Sequence, residues 1–95
     1  MAHVLQGLNM LKFHFDAGHG WLEVPVIELR KLKLMDKITP FSYLKNKIAY
    51  LEEDYDAAIY LDAIDKSAEI EEINDGLLSP ICSYPHFPSK IQVFN

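Results

Sequence analysis

The first quarter of the chain alternates apolar and polar residues with the short period of a β-strand. In residues 12–16, Phe13 and Phe15 fall on one side and the polar residues fall on the other. Residues 21–24 have the composition of a second strand. Between them, the Gly-His-Gly segment 18–20 favours a tight reversal, because glycine readily adopts positive φ angles. The pattern predicts a β-hairpin with this segment at its tip.

The next stretch changes to the period of an amphipathic helix. Val26, Leu29 and Leu32 form an apolar stripe, while the charged residues between them point to water. Pro25 suits the first turn of a helix, where its missing N–H is not needed. We expect a short helix that ends near Lys33.

A second strand–strand–helix unit follows. Residues 41–44 and 48–51 have strand composition, and Asn46 between them is suited to a left-handed turn position. Asp54 is a good N-cap residue. The apolar spacing after it predicts a helix over residues 55–66.

The remainder of the chain is less regular. Residues 68–73 read as a fifth strand, residues 77–95 contain three prolines and must be largely extended or irregular, and residues 91–94 have the composition of a final edge strand. The order ββα, ββα, β predicts a small α+β domain, with a mostly antiparallel sheet covered on one face by two helices. We assign residues 1–11 to an N-terminal extension and residues 12–95 to this single domain with its proline-rich tail.

Composition limits the classes of protein. The chain has 95 residues, of which 49% are hydrophobic and 24% charged, as expected for one folded domain. Its single cysteine, Cys82, excludes an internal disulfide and a zinc site assembled from thiolates within one chain. Its neighbours in sequence supply no positive charge, so we expect an inert thiol. No apolar run reaches the roughly 20 residues that span a bilayer, and no secretory signal is visible, so the predicted location is the cytoplasm.

Charge is divided unevenly along the chain. Residues 1–51 carry a net charge of +3, whereas residues 52–75 carry ten acidic residues and one lysine, a net charge of −9. Such a segment repels nucleic acid and attracts a basic protein partner; the alternative is a solvated helix face and a soluble strand edge. The candidate binding residues are the acidic set Glu52, Glu53, Asp54 and Asp56 and the hairpin-tip set Gly18, His19, Gly20 and Trp21.

The hairpin tip also contains candidate chemistry. Asp16 and His19 are three residues apart and form a candidate metal site or acid–base pair, with His14, His86 or a carboxylate as the third ligand. The structural alternative is that Asp16 caps the turn, His19 is exposed and Trp21 anchors the hairpin. Phosphate-binding glycine loops, dinucleotide fingerprints and nucleophile elbows are missing from the sequence. We therefore predict no catalytic residue and no cofactor.

Residues 79–88 combine prolines, aromatic residues and a histidine. Two interpretations remain open: the segment is a ligand for another protein, or it packs across the sheet as a strap. Ile81, Tyr84 and Phe87 favour the strap, because their side chains can cover apolar surface.

Three segments resemble a family of small bacterial proteins associated with phages, plasmids and other mobile elements: FDAGHGWLEVP at 15–25, ITPFSY at 38–43 and YLEED at 50–54. The resemblance covers about residues 13–84. The chain departs from the family pattern at Asn46, where the family has glycine, and in its longer tail after Pro85. The family carries no assigned activity. Its mobile-element context implies a host-interference role, such as an acidic inhibitor of a nucleic-acid defence system of the anti-CRISPR kind.

These observations lead to three functional hypotheses. The first is a non-enzymatic module that binds a host protein or complex, with no direct contact to nucleic acid or membrane. The second is a small metal-binding protein or metal-dependent enzyme centred on Asp16 and His19. The third is a structural or assembly subunit that forms a homo-oligomer through apolar residues near Tyr84 and Phe87.

Overall fold

The computed structural model describes residues 10–64 and 68–88, which form a small α+β domain, as the sequence predicts. Within these residues five strands belong to one sheet: β1 (Met10–Phe15), β2 (Gly20–Pro25), β3 (Tyr43–Lys45), β4 (Ile48–Glu52) and β5 (Glu69–Asn74). The helices are α1 (Val26–Lys31) and α2 (Asp56–Ile64), with short 3-10 helices at Met35–Lys37 and Pro80–Ser83. No helix in the described ranges is long and apolar enough to cross a membrane.

The sheet is mixed. Its spatial order is β3-β4-β2-β1-β5, and every neighbouring pair is antiparallel except β1 and β5. A parallel pair needs a crossover connection. Here the chain leaves β4, passes through α2 and reaches the opposite edge of the sheet, where β5 aligns with β1 so that Leu11 lies beside Ile70.

Both helices pack on one face of the sheet and form the hydrophobic core there. Alternation along the strands places Leu22, Val24 and Leu51 on this face, each at most 1% exposed. Leu29 of α1 and Tyr60 of α2 pack against them. Burial of each such large side chain contributes on the order of 1.5–3 kcal/mol, so this layer accounts for much of the stability.

Several predicted boundaries were wrong by a few residues. Pro25 is the last residue of β2 and the N-cap residue of α1, with an extended backbone (φ −60°, ψ 138°), so it is not in the first turn of the helix. Helix α1 ends at Lys31, two residues before Lys33, whose φ is positive. Leu11, the last residue of the predicted N-terminal extension, lies in β1 and is buried. Helix α2 begins at Asp56, so Asp54 lies outside it, in the preceding turn; the predicted end of this helix, at residue 66, lies outside the described residues.

The turn between β3 and β4 confirms the role of Asn46. Asn46 and Lys47 have φ angles of 54° and 67°, the pattern of a two-residue hairpin turn in which both central residues are left-handed. Asparagine tolerates this conformation better than most residues, so the chain needs no glycine there.

The C-terminal segment 77–87 is a strap that crosses the sheet face opposite the helices, and Phe87 at its end packs into the core on the helix-covered side. It starts beside the end of β1, where the amide of Ser79 donates to Asp16, and the ring of Tyr84 then packs on Tyr50 of β4. It ends beside the outer edge of β3, where the amide of Phe87 donates to the carbonyl of Ser42 at 2.8 Å. The predicted final strand at 91–94 lies outside the described residues.

Candidate functional site

The sheet face under the strap is polar and aromatic rather than aliphatic. His14 of β1 lies on this face, where its Nε2 is 2.7 Å from Glu23 Oε1 and its ring meets Tyr50 edge-on. His14 Nδ1 is also 3.5 Å from a carboxylate oxygen of Asp75. Both ring nitrogens are therefore engaged by this network, which leaves His14 unsuited to the third-ligand role considered for it.

Asp16 holds the hairpin tip together and ties it to the strap. Its Oδ1 accepts hydrogen bonds from the amides of Gly18 and His19, and its Oδ2 accepts one from Ser79 at 2.8 Å. Because these amides stabilise the ionised form, that of Ser79 most of all, the pKa of Asp16 lies below its ordinary value. The turn-capping interpretation of Asp16 is confirmed.

The two glycines of the tip differ in their surroundings. Only Gly76 among the described glycines has a positive φ, so the predicted reason for Gly18 and Gly20 was wrong. A Cβ on Gly20 would collide with the ring of Phe13 and lie 2.7 Å from Glu53 Oε1, whereas a Cβ on Gly18 would meet open space. Gly20 is buried and serves close packing; it is not an exposed binding residue.

His19 and Trp21 form an aromatic pair at this end of the sheet. Their rings stack with centroids 5.6 Å apart and an interplanar angle of 25°. Trp21 is 2% exposed and meets the ring of Tyr43 edge-on at 6.1 Å, while the His19 side chain is 64% exposed. The predicted anchoring of the hairpin by Trp21 and the exposure of His19 are both confirmed.

A cavity of about 710 Å³ opens beside this pair. Glu52 lies directly opposite Trp21 in the register of β2 and β4, and Asp54 follows in the turn after β4. Members of both predicted binding sets therefore share one site. The cavity is lined by His19, Trp21, Thr39, Phe41, Tyr43, Glu52, Asp54, Tyr55, Cys82 and His86.

Asp56 departs from the predicted acidic surface because its side chain is fully buried. Its Oδ2 accepts hydrogen bonds from the amide of Thr39 at 3.0 Å, the hydroxyl of Thr39 at 2.7 Å and the hydroxyl of Ser42 at 2.6 Å. The Ser42 oxygen in turn accepts from the amide of Glu52. Asp56 thus fixes the loop that carries Phe41 into the cavity wall, and it is not available to a partner.

The remaining acidic residues are distributed over separate surfaces. Glu53 is exposed but does not line the 710 Å³ cavity. Glu69, Glu71 and Glu72 are exposed on β5 at the edge of the sheet. Charged side chains on an edge strand hinder pairing with other chains, so the soluble-edge interpretation applies well to β5.

Cys82 was the least expected member of the site. Its Sγ lies 3.9 Å from Asp16 Oδ2, and burial, followed by the Asp16 charge, raises the pKa of the thiol above its ordinary value. The thiol therefore stays protonated at neutral pH and is a poor nucleophile. Asp16, His19 and Cys82 offer ligand atoms that all lie within 4.8 Å of one another.

His86 is not part of that group. Its Nδ1 lies 2.7 Å from the carbonyl oxygen of Pro40, and because a carbonyl only accepts, this nitrogen carries the hydrogen. Its ring packs on Tyr43 at 4.6 Å. His86 therefore builds the cavity wall.

The aromatic walls could not be predicted from sequence pattern alone. Phe41, Tyr43 and Tyr55 come from a loop, a strand and a turn, and they meet only because β3 and β4 pair beside β2. The one local signal was strand alternation, which turns Tyr43 away from the helix-covered face.

The chain matches no protein-family model, no curated protein and no solved structure.

Proposed function

We propose that the chain is a non-enzymatic protein-binding module whose cavity receives a cationic side chain, arginine or lysine, from a partner protein. The observation that carries this proposal is the placement of two carboxylates, Glu52 and Asp54, at the wall of a cavity with aromatic sides. No lysine or arginine lines the cavity within the described residues.

The chemistry of the walls favours a cation over other occupants. The faces of tryptophan, tyrosine and phenylalanine attract cations within about 6 Å, at roughly 0.5–2 kcal/mol for each favourable contact. A carboxylate beside such rings adds charge attraction and hydrogen-bond acceptors that match a guanidinium or ammonium group. The same carboxylates repel phosphate, which disfavours nucleic acid as the occupant.

The rim of the cavity favours a protein over a small free cation. Phe41 and Tyr55 are 72% and 59% exposed, far more than the buried Trp21 between the walls. Exposed aromatic residues around a pocket are typical anchors of protein interfaces. The cavity is also larger than one side chain needs, so the residues that flank the cation can enter with it.

Binding is favoured over catalysis by the state of the nearby groups. With no metal ion bound, the raised pKa of Cys82 keeps it a thiol and a poor nucleophile, and Asp16 serves to cap the turn through backbone hydrogen bonds. The host-defence version of this proposal, an inhibitor of the anti-CRISPR kind from a mobile element, depends on the resemblance and the acidic charge and stays a prediction.

The apolar residues on which the assembly-subunit hypothesis was based are not available at the surface. Phe87 is 2% exposed and packs in the core, and Tyr84 is half-buried under contacts with Tyr50 and Lys45. The exposed apolar residues of this segment are Leu77 and Leu78, at 88% and 71%. Two adjacent leucines are a small patch and do not by themselves indicate an oligomer.

The proposal is tested with a peptide pair and the chain's single tryptophan. Trp21 lines the cavity, so its fluorescence reports directly on occupancy. A short peptide containing arginine is titrated against the same peptide containing citrulline, which is its neutral isostere. We expect binding of the arginine peptide, weaker at high salt, and roughly 2- to 30-fold weaker binding of the citrulline peptide.

A matched pair of variants assigns the effect to the cavity. Asp54→Asn should weaken arginine-peptide binding, whereas Glu53→Gln, one residue away but outside the cavity, should leave it unchanged. Equal binding of the two peptides, or equal loss in the two variants, would overturn the proposal. The same variants in capture experiments from host lysate then distinguish a true partner from proteins bound through general charge.

A further inference from the structure

We infer that Asp16, His19 and Cys82 form a binding site for zinc or a chemically similar divalent metal, at the edge of the cavity. The three donors come from two distant parts of the chain, the hairpin tip and the strap. This inference does not depend on the cationic side chain proposed above.

The donor set suits zinc in its chemistry. Zinc binds thiolate sulfur, imidazole nitrogen and carboxylate oxygen, and sites with three protein ligands leave a fourth position open. A single cysteine is incompatible with a site built from several thiolates, but it is sufficient for this mixed set with one thiolate. One carboxylate and one thiolate also neutralise the two positive charges of the ion.

The three donors lie near enough for a metal ion to draw them together by a small side-chain adjustment. Ligand atoms on one zinc ion lie about 3.3–3.8 Å apart, given the usual bond lengths. His19 Nδ1 is 3.4 Å from Asp16 Oδ1, and Cys82 Sγ is 3.9 Å from the other carboxylate oxygen, Oδ2. With one ligand atom taken from each residue, all three lie within 4.8 Å of one another. The His19 side chain is 64% exposed, so it has room to adjust toward the other two donors.

Asp16 is held in the manner of a metal ligand. The amides of Gly18, His19 and Ser79 fix the orientation of its carboxylate. Ligating carboxylates in metal sites are typically oriented by such outer hydrogen bonds. On the Cys82 side, Oδ2 has one strong partner, the Ser79 amide, which leaves a lone pair for a metal ion. On binding, the ion would take the place of the thiol hydrogen, and that proton would pass to solvent.

Since His19 and Cys82 both line the 710 Å³ cavity, a metal held between them lies at its wall. The open fourth position would then be accessible from the cavity, to water or to a ligand donor atom. The cavity would then have two roles, the binding of a metal ion and the binding of a cationic side chain.

The test uses the full chain, purified without a histidine tag and treated with chelator. Cobalt(II) replaces zinc as a spectroscopic probe, because a thiolate on cobalt produces a charge-transfer band in the near ultraviolet. We expect one equivalent of cobalt to produce this band, zinc to displace it, and zinc to raise the melting temperature. Cys82→Ser should lose the band, and His19→Gln should weaken zinc affinity by about 100-fold or more.

The control is His86→Gln, which changes another histidine of the same cavity wall and should bind zinc as the wild type does. Circular dichroism establishes that each variant is folded, and Cys82→Ala replaces the serine variant if that one is not. Absence of the thiolate band in the wild type, or an equal loss of affinity in the His19 and His86 variants, would overturn the inference. Because this experiment uses no peptide, a negative result for metal binding leaves the proposed peptide binding unaffected.

Discussion

The two faces of the sheet are built on different principles. The helix-covered face is aliphatic, and Leu22, Val24 and Leu51 are essentially inaccessible there. The strap-covered face carries charged, aromatic and hydroxyl groups that are joined by directional contacts, such as the 2.7 Å bond between His14 and Glu23. Apolar burial has no direction and fills space, whereas hydrogen bonds and ring contacts need defined geometry.

This difference explains where the cavity lies. On the helix-covered face, close packing of aliphatic side chains excludes voids, and any gap reduces stability. On the strap-covered face, the loop at 39–41, the turn after β4 and the strap surround an opening of about 710 Å³ beside Trp21. The helix-covered face therefore supplies stability, and the strap-covered face supplies the candidate sites.

The largest effect is expected from a truncation on the helix-covered face. Leu51→Ala should lower the free energy of unfolding by about 2–5 kcal/mol, because it removes buried surface and leaves a cavity in the core. Denaturant unfolding measures this loss. The exposed Ile27→Ala should change stability by no more than about 0.5 kcal/mol. Similar losses of unfolding free energy in the two variants would contradict the conclusion that the helix-covered face supplies most of the stability.

A smaller loss of unfolding free energy is expected at Asp56, which joins α2 to the loop of Thr39 and Ser42. Asp56→Asn should cost about 1–3 kcal/mol, because neutral hydrogen bonds replace the charge-assisted ones from Thr39 and Ser42, and the added NH2 group is buried where Oδ1 has no partner among the described residues. Asp62→Asn, an exposed change on the same helix, is the matched control. If Asp56→Asn unfolds no more easily than Asp62→Asn, the carboxylate does not organise the loop as described.

The smallest effect is expected on the strap-covered face. Tyr84→Leu should cost about 0.5–1.5 kcal/mol, because the ring contacts Tyr50 at 5.2 Å and receives the Lys45 ammonium at 4.4 Å. Tyr84→Phe keeps the ring and should stay within about 0.5 kcal/mol of the wild type. Denaturant unfolding measures both, and limited proteolysis of residues 77–87 should detect the Leu variant more strongly. A loss as large as that of Leu51→Ala would remove the distinction between the faces.

The sequence by itself determined the local elements of this protein. The first hairpin and both amphipathic helices follow from the periodicity of apolar residues, and the left-handed turn at Asn46 follows from its turn residue. It also indicated that Glu52, Asp54, His19 and Trp21 were worth attention, because unusual charge and a glycine-flanked histidine are visible without a fold.

Only the tertiary structure decided which of these residues meet. Cys82 reaches Asp16 from 66 positions away, and β5 aligns with β1 through a crossover that no local pattern specifies. The burial of Asp56 could not be predicted from sequence either. An aspartate within an acidic segment is expected to face solvent, and only the fold brings the loop of Thr39 against it. Local structure depends on the preferences of neighbouring residues, whereas a site depends on contacts between segments whose separation in sequence carries no periodic signal.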